Sequence, residues 1–213
     1  MAHTEYDFSG FTAVEARNAM KVDVRRGDNF NVAVEADEQI VYEVKVSLSG
    51  ETLTAKFEAR WGHLGLLFKQ VSSPKLTVTM PELKSIELAT GTRGEISGFT
   101  GIEIFQATLA GASKLIGDVC CKRLKLEAGA ASHFELSGSA ETLEVELSGA
   151  SNANLEKLTA GDAKVKLGGA STLTVNLTGK LDAEVTGASS LRWLGSPALG
   201  DVKITGASSF SRK

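Results

Sequence analysis

The sequence has few of the residues that usually build metal centres, disulfide frameworks and membrane spans. Its 213 residues include three histidines, two cysteines and three prolines, and aromatic residues make up 6%. The histidines lack the spacing of zinc ligands, and a disulfide between the adjacent Cys120 and Cys121 would be strained. No run of about 18 apolar residues occurs, so no transmembrane segment is predicted. We therefore expect no metal, no cofactor and two reduced thiols, one buried and one facing outward.

Motifs for catalysis and for nucleotide binding are also missing. No phosphate-cradling glycine loop precedes a helix, no nucleophile elbow occurs, and the Asp-rich calcium nonapeptide of other β-helices is absent. The formal net charge is -3, and no basic block of the kind that marks a nucleic-acid surface interrupts the mixed charges. We expect no catalytic residue and no nucleic-acid partner.

Glycine, by contrast, is abundant at 22 residues and recurs in a repeated tripeptide. Many glycines combined with few prolines predict frequent tight corners between regular strands. From position 91 onward, the copies are spaced by 20, 19, 19, 20, 18 and 19 residues. Gly-Ala-Ser begins at Gly111, Gly149, Gly169, Gly187 and Gly206, Ala130-Ala131-Ser132 fills the gap, and Gly91-Thr92-Arg93 is a degenerate first copy.

The residues around each copy alternate between apolar and polar. Positions two and four before the glycine and four after it are apolar in every copy, and the positions between them are mostly polar. This period-two pattern in a repeat of about 19 residues predicts stacked coils of short strands. The fold class is therefore all-β, a right-handed parallel β-helix with regular coils over residues 90–210.

Each part of the tripeptide has a predicted mechanical role. Glycine permits a corner that a Cβ would strain, alanine fits a tight bend, and the serines point inward. Stacked serines would form a hydroxyl ladder that satisfies corner backbone groups. The serines are at positions 113, 132, 151, 171, 189 and 208. A second set of glycines, predicted to mark an opposite corner, is at positions 98, 117, 138, 161, 179 and 195.

The N-terminal part, residues 6–89, lacks the strict period but is rich in strands. Alternating valines flank residues 25–29, and alternating apolar residues flank residues 49–51, so two hairpins are predicted. We expect antiparallel strands that cap the helix start, or irregular early coils, within one domain spanning residues 1–213. A cap is useful because an open β-helix end exposes unpaired edge groups.

Residues 61–68 form an apolar, glycine-punctuated segment between two strands. It could fold onto the core, form an exposed loop for self-association or partner contact, or insert into a membrane interface. The candidate contact residues are Trp61, Leu64, Leu66, Leu67 and Phe68.

The order of several weak motifs resembles a known bacterial family. The motifs are residues 11–15, Gly27-Asp28 followed by residues 32–37, residues 76–81, and the repeated Gly-Ala-Ser coils. Together they resemble the autotransporter adhesin head domain called GIN, a family of uncharacterised function, over roughly residues 6–210. The resemblance implies a right-handed β-helix like those of adhesin heads, often in envelope or exported proteins, and it carries no catalytic residues to transfer.

These observations favour a non-catalytic surface or envelope module that binds a glycan or protein ligand and forms a homo-oligomer. The alternative is a β-helix scaffold that stacks through its ends, with residues 208–210 as a docking end. A polysaccharide-cleaving enzyme is less favoured, because outward acids such as Glu127 and Glu184 are interspersed with lysines such as Lys164 and Lys203. The first residues lack a signal peptide, so the location is the envelope or outside if a leader was removed, and otherwise the cytoplasm.

Overall fold

A computed structural model describes residues 1–58 and 72–213. In this part of the chain, strands and one short 3-10 helix, Val41–Glu43, follow one another along the sequence. The strands are β1 Ala2–Tyr6, β2 Ala13–Arg17, β3 Lys21–Arg26, β4 Asn31–Ala36, β5 Val44–Ser49, β6 Thr52–Phe57, β7 Lys75–Met80, β8 Ser85–Ala89, β9 Arg93–Leu109, β10 Lys114–Ala128, β11 His133–Leu147, β12 Asn152–Leu167, β13 Thr172–Leu177, β14 Lys180–Val185, β15 Ser190–Gly195, β16 Ala198–Ile204 and β17 Ser209–Arg212. None of the described helices has the length and apolar character needed to cross a membrane.

The chain winds into a β-solenoid of about seven turns with a spacing of about 19 residues, and this confirms the predicted fold class. From β9 to β12, each strand follows most of one coil and pairs in parallel with the next coil. Leu115 pairs with Phe134, and Leu126 pairs with Val145. These inward residues are buried, so the coils share one apolar core along the axis.

The Gly-Ala-Ser corner divides each coil into two faces. Face 1 contains the strand segments that follow a corner in the regular coils and the strands that stack on them, namely β7, β3, the first parts of β9 to β12, β13, β15 and β17. Face 2 contains the segments that lead to the next corner in the regular coils and the strands that stack on them, namely β6, β2, β8, the last parts of β9 to β12, β14 and β16. Outward side chains at one register therefore form columns parallel to the solenoid axis.

The first coils are stacked in a different order from the sequence. Strand β2 lies between β6 and β8, and β3 lies between β7 and β9. Strands β5, β4 and β1 add antiparallel pairings to β6, β7 and β4, respectively, at the N-terminal end. The N-terminal part thus contributes both early coils and the antiparallel strands that were predicted to cap them.

One of the two predicted hairpins is correct and the other is wrong. Around residues 49–51, β5 and β6 pair antiparallel, with Val46 opposite Ala55. Around residues 25–29, β3 and β4 are separated by β7, because Val78 pairs in parallel with Val24 and antiparallel with Val32. The alternating valines correctly predicted β3 and β4 as strands. These two strands pair with β7 rather than with each other.

The corner geometry confirms the mechanical role predicted for the tripeptide. Gly149, Gly169, Gly187 and Gly206 adopt left-handed φ angles of 70°, 76°, 78° and 74°. The amide of the following alanine donates to the carbonyl of the left-handed residue one coil earlier, at N–O distances of 2.6–2.8 Å. Since the preceding carbonyl lies where a Cβ would be, these corners need glycine for two reasons, conformation and space.

The predicted serine ladder is also present. Five of the serines are at most 1% exposed, and each of the six lies at the same register of its coil. Ser113 and Ser171, for example, donate from Oγ to the carbonyl three residues earlier at 2.8 Å. Ser208, in the last coil, makes the same hydrogen bond but is only partly buried.

The degenerate first copy is shifted by one residue from the prediction. Arg93 pairs with Lys114, so Thr92 rather than Arg93 occupies the register of Ser113. Thr92 is fully buried, and its Oγ1 donates to the Ala89 carbonyl at 2.8 Å. A threonine hydroxyl therefore replaces serine at this corner, and the equivalent tripeptide begins at Thr90.

The second set of glycines was predicted to mark an opposite corner, but these glycines do not lie at one register. Gly117 pairs with Leu136, whereas Gly138 pairs with Val119. Register shifts occur beside both glycines, between Gly117 and Val119 and between Glu135 and Gly138. These glycines mark local bends that differ from coil to coil, because this side of the coil has no fixed tripeptide to set its register.

Candidate functional site

A groove of about 520 Å³ crosses the strands of face 2. Two columns of outward side chains form its walls, and the intervening residues Leu124, Leu143 and Ala163 form its floor. One column consists of Arg123, Thr142, Asp162 and Lys180, and the other of Lys125, Glu144, Lys164 and Asp182.

The groove continues in both directions along the axis. Ile104 lines one end of the 520 Å³ groove and also lines a hollow of about 350 Å³ with Glu82 and Lys84. At the other end, Lys164 and Asp182 line a hollow of about 200 Å³ that reaches Lys203. We call this continuous surface, from Glu82 and Lys84 to Lys203, the face-2 groove. Its length suits an extended ligand rather than a compact one.

Charges in the face-2 groove alternate from coil to coil. In one column, Lys125, Glu144, Lys164 and Asp182 follow one another at successive coils. Lys125 also pairs with Glu127 at 2.7 Å on its own strand. Alternating cations and anions at the strand spacing offer hydrogen-bond donors and acceptors in turn, with little net charge.

The aspartates of the groove are engaged by the backbone of the next coil. Asp162 Oδ1 accepts from the Lys180 amide at 2.7 Å, and Asp182 Oδ1 accepts from the Asp201 amide at 2.7 Å. The Lys180 side chain donates to Asp182 at 2.9 Å and, with the Asp201 amide, lowers the pKa of Asp182 below its ordinary value. A carboxylate with a lowered pKa stays ionised, so Asp182 is unsuited to act as a general acid.

No group of three or more potential metal-ligating side chains occurs in residues 1–58 and 72–213. The two cysteines are unpaired, and Cys121 is buried while Cys120 is partly exposed, as the alternation predicted. Burial raises the pKa of the Cys121 thiol to about 11. A thiol with such a pKa is largely protonated at neutral pH and is a poor nucleophile or metal ligand.

The predicted contact segment cannot be compared with the structure. Its residues Trp61, Leu64, Leu66, Leu67 and Phe68 lie outside the described residues. The other predicted docking element, residues 208–210, belongs to the last coil, where the Phe210 ring packs on Trp193 with the ring centroids 4.3 Å apart.

The face-2 groove was missed by the sequence reasoning, although part of its signal was available. Aligning the repeats places Lys125, Glu144 and Lys164 at one outward register. The alignment does not show that the two outward columns enclose a concave floor, so it does not reveal the groove.

Together, the coils and the groove define a β-solenoid with a groove along one side. The chain belongs to the family described as putative auto-transporter adhesin, head GIN domain, whose model matches residues 10–197. The resemblance found in the sequence is thereby confirmed.

Solved structures of bacterial proteins share the fold. A putative adhesin from Bacteroides fragilis is 17% identical with a TM-score of 0.85, and 100% of this chain covers 96% of that one. A putative lipid binding protein from Parabacteroides distasonis is 16% identical with a TM-score of 0.73, at 100% and 96% coverage. A putative adhesin from Parabacteroides merdae is 11% identical with a TM-score of 0.69, at 100% and 95% coverage. No curated protein matches the chain in sequence.

Proposed function

We propose that the protein is a non-catalytic binding module of the bacterial surface or envelope, and that it holds an extended glycan in the face-2 groove. The observation that carries this proposal is the groove itself, a concave surface that follows the axis with alternating charges. Donors and acceptors repeating at the strand spacing can hydrogen-bond the hydroxyls of successive sugars.

Two further observations support binding without catalysis. Asp162 and Asp182 are committed to backbone amides of the next coil, so they lack the freedom that a carboxylate pair needs for glycoside cleavage. The similar structures from Bacteroides and Parabacteroides are named for adhesion or lipid binding, which are binding functions.

Blocking the groove tests this proposal. Thr142 is exposed in the middle of the groove, so Thr142→Trp should fill the space above Leu143. We expect binding to an array of immobilised bacterial surface polysaccharides to weaken by about tenfold or more, equivalent to roughly 1.4 kcal/mol. The matched control is Thr174→Trp, an outward threonine on face 1.

The control should bind like the unchanged protein. Equal binding by Thr142→Trp and Thr174→Trp would contradict a groove site. Release of soluble fragments from the array would contradict a non-catalytic role.

A second candidate function, self-association into a scaffold, is favoured by the last coil. Leu199 and Ile204 are 53% and 43% exposed, although they stand at the registers of the buried Leu181 and Val185 one coil earlier. Within the described chain, β16 and β17 pair with strands of the preceding coil only. Apolar side chains beside an unpaired strand edge are a template for pairing with a second copy.

The solution mass of charged variants tests self-association. If copies join through the last coil, Leu199→Lys/Ile204→Lys should convert a concentration-dependent oligomer to a monomer in size-exclusion chromatography with light scattering. Ile104→Lys is the matched control, because Ile104 is 45% exposed on the side of the solenoid, and it should leave the mass unchanged. If the unchanged protein, Leu199→Lys/Ile204→Lys and Ile104→Lys all have the same mass, this interface is excluded.

A further inference from the structure

A column of basic side chains runs along face 1, next to the corners. Its members occupy the first outward position of each strand segment and are paired register by register in five successive coils. In spatial order they are Lys75, Lys21, Arg93, Lys114 and His133. We call this set the basic column.

The basic column ends where polar, uncharged residues take over the same register. The following coils carry Asn152, Thr172, Ser190 and Ser209 at this position. Like charges directly opposite each other on paired strands lower stability, and the later coils show that neutral side chains fit this position. The first coils nevertheless keep four permanent cations in line, which indicates a role other than stability.

Two cations at the centre of the column have no carboxylate partner among residues 1–58 and 72–213. Lys75 lies 3.5 Å from Asp23, and Lys114 lies 3.3 Å from Glu135. Lys21 and Arg93, which are exposed and directly opposite each other, form no ion pair within the described residues. The positive potential is therefore concentrated at these two side chains.

Acidic residues on the next outward register limit the width of this positive strip. Asp23, Glu95 and Glu135 lie beside the column, two residues further along their strands. The Arg25 guanidinium donates hydrogen bonds to both carboxylate oxygens of Asp23, at 2.9 and 2.7 Å, and so neutralises most of the charge of Asp23. The result is a narrow line of positive charge bordered by acids, which suits a thin linear ligand better than a broad anionic surface.

We propose that the basic column binds a linear acidic polysaccharide with one carboxylate per sugar, lying parallel to the solenoid axis. Successive positions are separated by one strand spacing, about 4.8 Å, so the four permanent cations span roughly 14 Å. One extended pyranose unit is about as long as this spacing, so each carboxylate can meet one cation. Asn152, Thr172 and Ser190 continue the line with groups that can hydrogen-bond further sugars.

The spacing distinguishes this ligand from nucleic acid. Duplex DNA carries one charge per about 1.7 Å of axis, and single strands are usually bound with the help of stacked aromatic side chains. The basic column has at most one charge per coil, and none of its residues is phenylalanine, tyrosine or tryptophan. The proposal deepens the proposed function, because it names an acidic glycan and a second surface for it.

The test uses polygalacturonate as the probe, with dextran and single-stranded DNA for comparison, in isothermal titration calorimetry of the full chain. We expect binding to polygalacturonate that weakens as salt is added. Lys21→Ser/Arg93→Ser introduces side chains already used at this register, and it should weaken binding by about tenfold or more. Lys45→Ser/Lys157→Ser removes two positive charges from exposed positions outside both the face-2 groove and the basic column, and it should bind as the unchanged protein does.

A stability measurement distinguishes a loss of binding from misfolding in the variant Lys21→Ser/Arg93→Ser. Because it relieves like-charge repulsion, Lys21→Ser/Arg93→Ser should unfold at the same or a higher urea concentration than the unchanged protein. Equal loss of binding in both double variants would overturn the basic column as the site. Absence of polygalacturonate binding, or tighter binding of DNA than of polygalacturonate, would overturn the ligand class.

The outcomes also separate this proposal from the proposed function. If Thr142→Trp abolishes polygalacturonate binding and Lys21→Ser/Arg93→Ser does not, the groove holds the ligand and the basic column is excluded. If the column variant alone loses binding but the unchanged protein shortens the polymer, the column is supported while the non-catalytic role fails.

Discussion

Replacing Gly169 by alanine is expected to lower the free energy of unfolding by roughly 2–5 kcal/mol. A left-handed conformation costs an L-residue about 1–2 kcal/mol, and overpacking costs about 1–3 kcal/mol more. Both costs apply, because Gly169 has a φ angle of 76° and an added Cβ would meet the Gly149 carbonyl. Urea unfolding followed by far-UV circular dichroism measures the loss.

The same corner register supplies the control for this prediction. Ala130 occupies the place of glycine in its coil and has a left-handed φ angle of 63°. Ala130→Gly is therefore expected to raise the free energy of unfolding by about 1 kcal/mol. If both substitutions lowered stability by similar amounts, the left-handed corner would not be the reason that glycine recurs there.

Truncating Phe134 to alanine is expected to cost about 3–5 kcal/mol, because it leaves a cavity in a packed core. Phe134 is fully buried, and its register neighbours are Leu115 and Ala153. A large side chain thus stands beside a small one along the axis. Urea unfolding of Phe134→Ala and of the milder Phe134→Leu measures the dependence on volume.

An exchange of the two side chains tests whether they share one space. Phe134→Ala/Ala153→Phe conserves the total volume, so it should recover part of the stability lost in Phe134→Ala. If the exchange variant is less stable than Phe134→Ala, the two positions do not compensate each other, and the predicted stacking of successive coils at this register would be contradicted.

The regular coils could be predicted from the sequence because each coil repeats the same local chemistry. The period placed Leu115, Phe134 and Ala153 in one inward column, and the structure pairs them in that order. The inward parity of the serines likewise predicted a buried hydroxyl ladder. Only the first copy was displaced, since Thr92 performs the serine's role and was not recognised as its equivalent.

The order of the first coils could not be predicted, because it depends on contacts between distant parts of the chain. The alternating valines on both sides of residues 25–29 predict a hairpin between β3 and β4. In the structure, β7 lies between these two strands, so they are not paired with each other. Nothing local in the sequence distinguishes the two arrangements, since the alternating valines would be buried in either of them.

The two candidate binding surfaces depend on this order to different degrees. The face-2 groove lies mostly on regular coils, so its columns could be found by aligning the repeats. The basic column could not be found by aligning the repeats, because Lys75 and Lys21 are placed beside Arg93 only by the interleaved first coils. In the linear sequence these cations are dispersed, so the sequence contains no basic block that would predict the column.

The chain length of polysaccharide recovered from its complex with the protein tests most directly the claim of binding without catalysis. The protein would be incubated with bacterial surface polysaccharides and with polygalacturonate, and the retained polymer would be sized by chromatography after release. We predict that polymer is retained and that its length equals that of the starting material. Shortened chains, or no retained polymer of any kind, would contradict the proposed function.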